Sequence, residues 1–299
     1  MIISASRRTD IPAFYTKWFM DRVHQGQFLR INPFNPNQRK MISLLPEDVD
    51  AIVFWTKDPR PLMPHLSTLD VMGYRYYFQF TLNDYPQIFE PLIPPLKTRI
   101  PTFKRLSEIL GPGRVVWRFD PIILSSITSL KYLEKRFQQL AGELNGFTTR
   151  VMVSFLDIYG KIRPRLKGLE ASHGIVVEDL HDLKQREKLV GLAQSLSSIA
   201  KGNGMELFSC AEELDLTGVG IKPGACIDGG LIEELFGIKL NTKRDRNQRP
   251  NCRCSQSVDM GIYNTCQFGC VYCYAYSSRN AVEKAMERHG LHAQGYNGL

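Results

Sequence analysis

A chain of 299 residues with 43% apolar residues, 23% charged residues and a formal charge of +8 has the make-up of an ordinary globular protein, long enough to bury a sizeable core. No apolar run approaches the roughly 18 residues of a membrane span, and the opening Met1-Ile2-Ile3-Ser4-Ala5-Ser6-Arg7 lacks the design of a signal peptide. A cytoplasmic protein with no membrane partner is expected, and seven cysteines there argue for metal or redox chemistry rather than disulfides.

In chain order, Ile2–Ser6 reads as a short buried strand ending in the polar turn Arg7–Pro12, with a helix start at Pro12 and Thr16. Phe28–Ile31 and Met41–Leu44 flank Asn32-Pro33 and Asn35-Pro36, which predicts a hairpin. Ala51–Trp55 is a continuous apolar run, as expected for a strand buried on both faces. A helix near Pro61–Met72, a strand at Tyr76–Phe80, a helix at Thr102–Leu110 and a strand at Val115–Phe119 follow. Then come a helix at Ser129–Leu144, a strand at Val151–Phe155, a long helix near Val177–Gly202 and a strand at Met205–Phe208. Met260–Tyr263 supplies a last strand and Ser277–His289 a last helix. Short apolar runs alternating with helices indicate a parallel sheet with βαβ connections, and about eight strands suffice for a full or nearly full (β/α) barrel.

The most informative stretch is Thr265-Cys266-Gln267-Phe268-Gly269-Cys270-Val271-Tyr272-Cys273-Tyr274-Ala275. Three thiolates at this spacing wrap one face of a cuboidal iron–sulfur cluster and leave its fourth iron without a protein ligand. An open coordination position marks a site built for chemistry rather than for holding a fold. Four cysteines remain: Cys210, Cys226, Cys252 and Cys254. Four is the number that closes a fully ligated second [4Fe–4S] cluster or a tetrahedral zinc site; unliganded buried thiols are the bland alternative. The last of these cysteines stand before a strand and Cys210 ends one, so Ser255–Asp259 must fold back for the four to meet.

In a parallel barrel the active site lies at the carboxyl ends of the strands. Those ends read Ser6-Arg7-Arg8-Thr9-Asp10, Thr56-Lys57, Thr81-Leu82-Asn83, Arg118-Phe119-Asp120, Asp157 and Cys210. The basic run Lys239–Arg253, offset only by Asp245, reads either as a solvated loop beside an anionic cluster or as a contact surface for nucleic acid.

The C-x3-C-x2-C spacing with Tyr272 before the last cysteine resembles the radical SAM superfamily, and Cys273-Tyr274-Ala275 resembles its spore-photoproduct-lyase-like branch. That superfamily generally carries its cysteine loop after the first strand, whereas here strand, loop and helix come last. The resemblance therefore implies a circular permutation of an α/β TIM-like barrel, with residues 1–210 as barrel, 211–259 as a cysteine-containing excursion and 260–299 completing the barrel. It also implies a [4Fe–4S] cluster on Cys266, Cys270 and Cys273, S-adenosylmethionine as cosubstrate, and an electron donor such as flavodoxin or ferredoxin. The enzyme would cleave S-adenosylmethionine to a 5′-deoxyadenosyl radical that takes hydrogen from an unknown substrate, with nucleic acid among the candidates. The glycine-glycine-glutamate segment of relatives is replaced by Ser4–Asp10. Ser6 or Asp10 is then expected at the methionyl ammonium, Arg7 or Arg8 at its carboxylate, Thr56 and Lys57 at ribose or carboxylate, Arg118 with Asp120 at the carboxylate and Tyr272 at the adenine. The alternative is a non-catalytic nucleic-acid-binding protein containing zinc or an iron–sulfur cluster.

Overall fold

The computed structural model describes residues 1–33, 35–288, 291–292 and 295–296. The chain opens with β1 (Ile2–Ala5), α1 (Ile11–Phe14), α2 (Thr16–Gln25) and the strands β2 (Gln27–Asn32) and β3 (Asn35–Ser43). It continues through β4 (Ala51–Thr56), α3 (Leu66–Val71), β5 (Tyr76–Thr81), α4 (Leu96–Leu110) and β6 (Val115–Ile122). Next are α5 (Leu130–Leu144), β7 (Arg150–Phe155), α6 (Arg163–His173), α7 (Arg186–Gly202) and β8 (Glu206–Cys210). The last described stretch holds β9 (Lys222–Gly224), α8 (Gly229–Phe236), β10 (Val258–Asp259) and α9 (Arg279–Arg288), then two short paired strands at 291–292 and 295–296. Of the expected final helix, His289 lies outside the described residues. No helix among the described residues is long and apolar enough to cross a membrane.

Eight strands form one all-parallel sheet in the order β10-β1-β4-β5-β6-β7-β8-β9. Apart from the displaced β10, that order is sequence order, so each crossover steps to the next neighbour. Right-handed connections of that kind put their helices on one face of the sheet. That face holds Phe54, Phe78, Phe80, Trp117 and Val153, packed with Phe19, Phe103, Phe137 and Leu196 from α2, α4, α5 and α7. The antiparallel β2–β3 hairpin stands outside the sheet.

Three expectations change. The sheet is not closed among the described residues: its edges are β9 and β10, which share no ladder. The other face of the sheet, lined by Ile2, Val53, Tyr77, Val116 and Met152, is covered by Ile227, Leu231 and Ile232 of the α8 segment and by Cys252 and Cys254. With the excursion filling the concave side, closure is not needed to bury it. Lys222-Pro223-Gly224, read as loop, is an edge strand, a place where a proline costs no ladder bond. The helix expected from Val177 begins only at Arg186, because Val177 bridges Ser125 and the amide of Glu178 bonds Leu124 O at 2.9 Å; α6, with Pro164 in its first turn, is an addition to the expected elements.

The expected pairing of the last strand with β1 is met with a shift. The strand beside β1 is parallel as expected but lies at Val258–Asp259, just before Met260–Tyr263, with Ser4 opposite Asp259. Met260 N still reaches Ser4 O at 3.1 Å, and there the ladder stops. A Cβ on Gly261 would stand 2.0 Å from Ser6 Oγ, so only glycine lets the chain pass the end of β1.

Candidate functional site

Local chemistry shapes the cysteine loop that follows β10. Asn264 and Gly269 have φ of 62° and 66°, left-handed values that asparagine and glycine tolerate best. Asn264 closes the loop: its amide bonds Ala275 O at 2.9 Å and its side chain accepts from Ser277 N at 2.7 Å. Val271 N donates to Phe89 O at 3.0 Å, Tyr15 Oη to Thr265 O at 2.5 Å, and Phe268 meets Phe14 edge-on at 4.6 Å. From α6, Arg165 reaches across to donate to Val271 O at 2.8 Å, Tyr276 O at 2.8 Å, Ser277 O at 3.2 Å and also to Cys273 O. One guanidinium thus gathers the carbonyls behind the second and third cysteines.

Burial holds the Cys266 thiol up at about 12 and pushes those of Cys270 and Cys273 up as well. A metal held here must therefore displace protons from neutral thiols.

Asp10, Thr56, Lys57 and Tyr272 are brought to this loop. Asp10 caps α1 by accepting from Ala13 N at 3.0 Å and also accepts Lys57 N at 2.7 Å. Burial pushes its carboxyl up to about 7, partly offset by these bonds and one from Thr56. Lys57 Nζ lies 2.8 Å from Glu90 Oε1 and 2.9 Å from Tyr272 Oη, and Tyr272 Oη also bonds Glu90. Burial works against the Lys57 charge, but Glu90 and then Cys270 outweigh it and hold its pKa raised. The Tyr272 phenol is anchored in this buried triad rather than turned outward. Glu90, in the loop after β5, is absent from the sequence-based site; nothing in its sequence surroundings sets it apart from a surface loop residue.

Ser6 and Arg7 are brought to Asp259. Its carboxylate accepts Ser4 Oγ at 2.9 Å, Ser6 Oγ at 2.7 Å and Arg7 N at 2.9 Å, tying β10 to the end of β1. Asp259 escapes the sequence reading because the apolar run that suggests a strand starts only after it.

Arg118 and Asp120 go to the other cysteines instead. Arg118, 4% exposed, donates Nε–H to Asp120 at 3.1 Å and Nη1–H to Gln79 Oε1 at 3.3 Å and Cys226 Sγ at 2.9 Å. Cys226 Sγ is 2.9 Å from Cys210 Sγ, and Cys226, Cys252 and Cys254 lie in one buried cluster against which Cys210 packs. The four remaining cysteines therefore form one group. The expected obstacle disappears because Cys252 and Cys254 approach on the concave face, not along the rim: Ser255 N bonds Ile227 O at 2.9 Å and Ile227 N bonds Cys254 Sγ at 3.4 Å.

Trp55 joins the two groups, with Arg7 at 5.9 Å and Arg118 at 4.9 Å from its ring. The thiols of Cys254 and Cys226 act on the Arg7 charge, and Arg7 O accepts from Tyr274 Oη of the cysteine loop at 3.1 Å. Nearby, Glu212 accepts Phe155 N at 3.0 Å, and burial pushes it up to about 7; His181 faces it and lies 3.4 Å from Asp157. The basic run is partly spent internally: Arg244 donates to Cys252 O at 2.7 Å, and Arg249 pairs with Asp157. Lys239, Lys243, Arg246 and Arg253 remain exposed.

These features define an α/β protein with a cysteine-lined site at the carboxyl ends of a parallel sheet. The chain belongs to the family described as a domain of unknown function, DUF1848, whose model matches residues 2–275 and so takes in all seven cysteines. No protein with a curated description matches the chain.

Proposed function

We propose that the protein is a radical SAM enzyme built on a circularly permuted, open (β/α) barrel, with Cys266, Cys270 and Cys273 as ligands of a [4Fe–4S] cluster. The observation that carries the reading is the presentation of three thiols from one loop at the carboxyl ends of a parallel sheet, the other four cysteines being gathered in a group of their own. Whether polar groups await a ligand there is a separate test. Arg7 Nε, Trp55 Nε1 and Glu90 Oε2 are buried without hydrogen-bond partners among the described residues, and they lie at the ends of β1 and β4 and in the loop after β5. Buried polar atoms are rarely left unpaired, and a set with both donors and an acceptor suits a zwitterion such as a methionyl group. The cluster and S-adenosylmethionine together supply, when bound, a 5′-deoxyadenosyl radical able to take a hydrogen atom from carbon.

The chain's own residues bind and orient. Glu90 offers an unpaired carboxylate oxygen to an ammonium, and Arg7 an unpaired N–H to a carboxylate. Lys57 and Asp10 fix the loop from the strand side, Arg165 from the helix side, and Phe268 and Tyr272 exclude water beneath it. The test is anaerobic reconstitution followed by measurement of iron and of 5′-deoxyadenosine after reduction with S-adenosylmethionine present. Replacing Cys266, Cys270 and Cys273 with alanine should remove about four irons per chain and all 5′-deoxyadenosine formation. Unchanged iron in that variant refutes the ligand assignment.

A further inference from the structure

Cys210, Cys226, Cys252 and Cys254 converge from three separate segments: the end of β8, the link between β9 and α8, and the stretch before β10. We infer that these four cysteines bind a single soft divalent metal ion of the zinc class, with Arg118 as an outer hydrogen-bond donor to Cys226.

Spacing decides between metal classes. One zinc with ligands at about 2.3 Å holds tetrahedral sulfurs about 3.8 Å apart. A cubane places iron and inorganic sulfide between its cysteines and needs them spread wider. Here Cys210 Sγ and Cys226 Sγ are 2.9 Å apart, and Cys254 Sγ accepts the amide of Ile227, the residue after Cys226, at 3.4 Å. That is too tight for a cubane and close to the spacing of a mononuclear site. Among the described residues no group of three His, Cys, Asp or Glu is placed to hold a metal ion as it stands, and the Cys210–Cys226 distance of 2.9 Å is about 0.9 Å short of the zinc spacing, so the thiols must move apart to take an ion. Side-chain torsions cover a shift of that size, and Cys210 is free to make it as the last residue of its strand, with a half-buried side chain.

The surroundings are those of a built site. Ligand orientation in metal centres is fixed by outer hydrogen bonds, and here each segment is held in place. The carbonyl of Cys226 accepts Tyr77 Oη at 2.7 Å and Gln79 Nε2 at 2.8 Å. The carbonyl of Cys252 accepts Arg244 Nε at 2.7 Å, and that of Cys254 accepts Asp245 N at 2.8 Å. Two donors already point at sulfur, Arg118 Nη1 and the amide of Ile227. Four thiolates around a divalent ion leave a net charge of about −2, and the Arg118 guanidinium, which donates to Cys226 Sγ at 2.9 Å, faces it. Bound metal would fasten the excursion across the concave face of an unclosed sheet.

The inference is independent of the cluster assigned to the cysteine loop, and the test keeps them apart. The full chain carrying alanine at Cys266, Cys270 and Cys273 is expressed with zinc and assayed for bound metal; about one zinc per chain is expected. Adding Cys252→Ser and Cys254→Ser should abolish it, while Cys210→Ser alone should lower retention at least tenfold under chelator challenge. Should the multiple variants fail to fold, the wild-type chain loaded with cobalt(II) is examined instead. It should show the intense thiolate-to-metal absorption and tetrahedral d–d bands of a four-sulfur site. An iron–sulfur chromophore surviving loss of the loop cysteines overturns the inference. So does absence of zinc from the loop variant, or a disulfide between Cys210 and Cys226 with no metal in the wild type.

Discussion

Arg165→Met isolates what one side chain does for the cysteine loop. Methionine keeps the apolar stem on α6 but gives up bonds to the carbonyls of Val271, Cys273, Tyr276 and Ser277. The Ser277 carbonyl is exposed and finds water. The other three are partly buried, and at about 1–1.5 kcal/mol for each net hydrogen bond their loss amounts to about 3–4.5 kcal/mol. The guanidinium also sits 4.3 Å from the Tyr276 ring, adding about 0.5–1 kcal/mol. The free energy for opening residues 264–277 should thus fall by about 4 kcal/mol, or about a thousandfold in the opening equilibrium. Fragment-resolved hydrogen exchange reads this directly. The amides of Val271 and Cys273, bonded to Phe89 O and Cys270 O, should exchange at least a hundredfold faster, while those of β5–β7 keep their rates. Arg165→Lys, with one ammonium in place of a fork, should recover only part. Wild-type exchange at Val271 and Cys273 in the methionine variant, or equal acceleration throughout the sheet, refutes the reasoning.

Two further outcomes follow from buried charge. Glu90→Gln removes the carboxylate from a Lys57 side chain that is 14% exposed, and breaking such a pair should cost about 3–5 kcal/mol; in urea unfolding the double variant Lys57→Met/Glu90→Gln should be less destabilised than the single one, and simple additivity would show that the charges are uncoupled. Asp10 titrates at about 7 in the folded chain against the ordinary 3.8 of an aspartate, because burial disfavours its charge. The native state then holds a proton that the unfolded chain has released, so stability declines as pH rises from about 4 to about 7. Asp10→Asn, which cannot ionise, should lower stability by about 1 kcal/mol through one lost acceptor and flatten the pH profile in that window; parallel profiles for the two proteins would remove Asp10 as the cause.

The strand-rich half of the architecture was legible in the sequence because a parallel sheet buried on both faces writes itself as short apolar runs. Ala51–Trp55, Tyr76–Phe80 and Val151–Phe155 each begin and end within a residue or so of their strands. The cysteine loop was equally legible, since its spacing is local and Asn264 and Gly269 mark its turns. The displaced β10 was placed beside β1 by the family resemblance of the cysteine loop, which puts that loop after a strand next to β1, and the pairing is there.

Only the tertiary structure could decide the rest, because it depends on which residues meet across long sequence separations. Glu90 meets Tyr272 across 182 positions and Arg165 meets Cys273 across 108; neither pair has a local pattern. Arg118, expected at a cosubstrate carboxylate, is turned by strand alternation onto the same face as Cys226 and is taken up there. The four outlying cysteines were countable, but their meeting depended on an open sheet whose concave face the excursion fills. Sequence determined which groups this protein can use; how the sheet is covered decided which of them stand together.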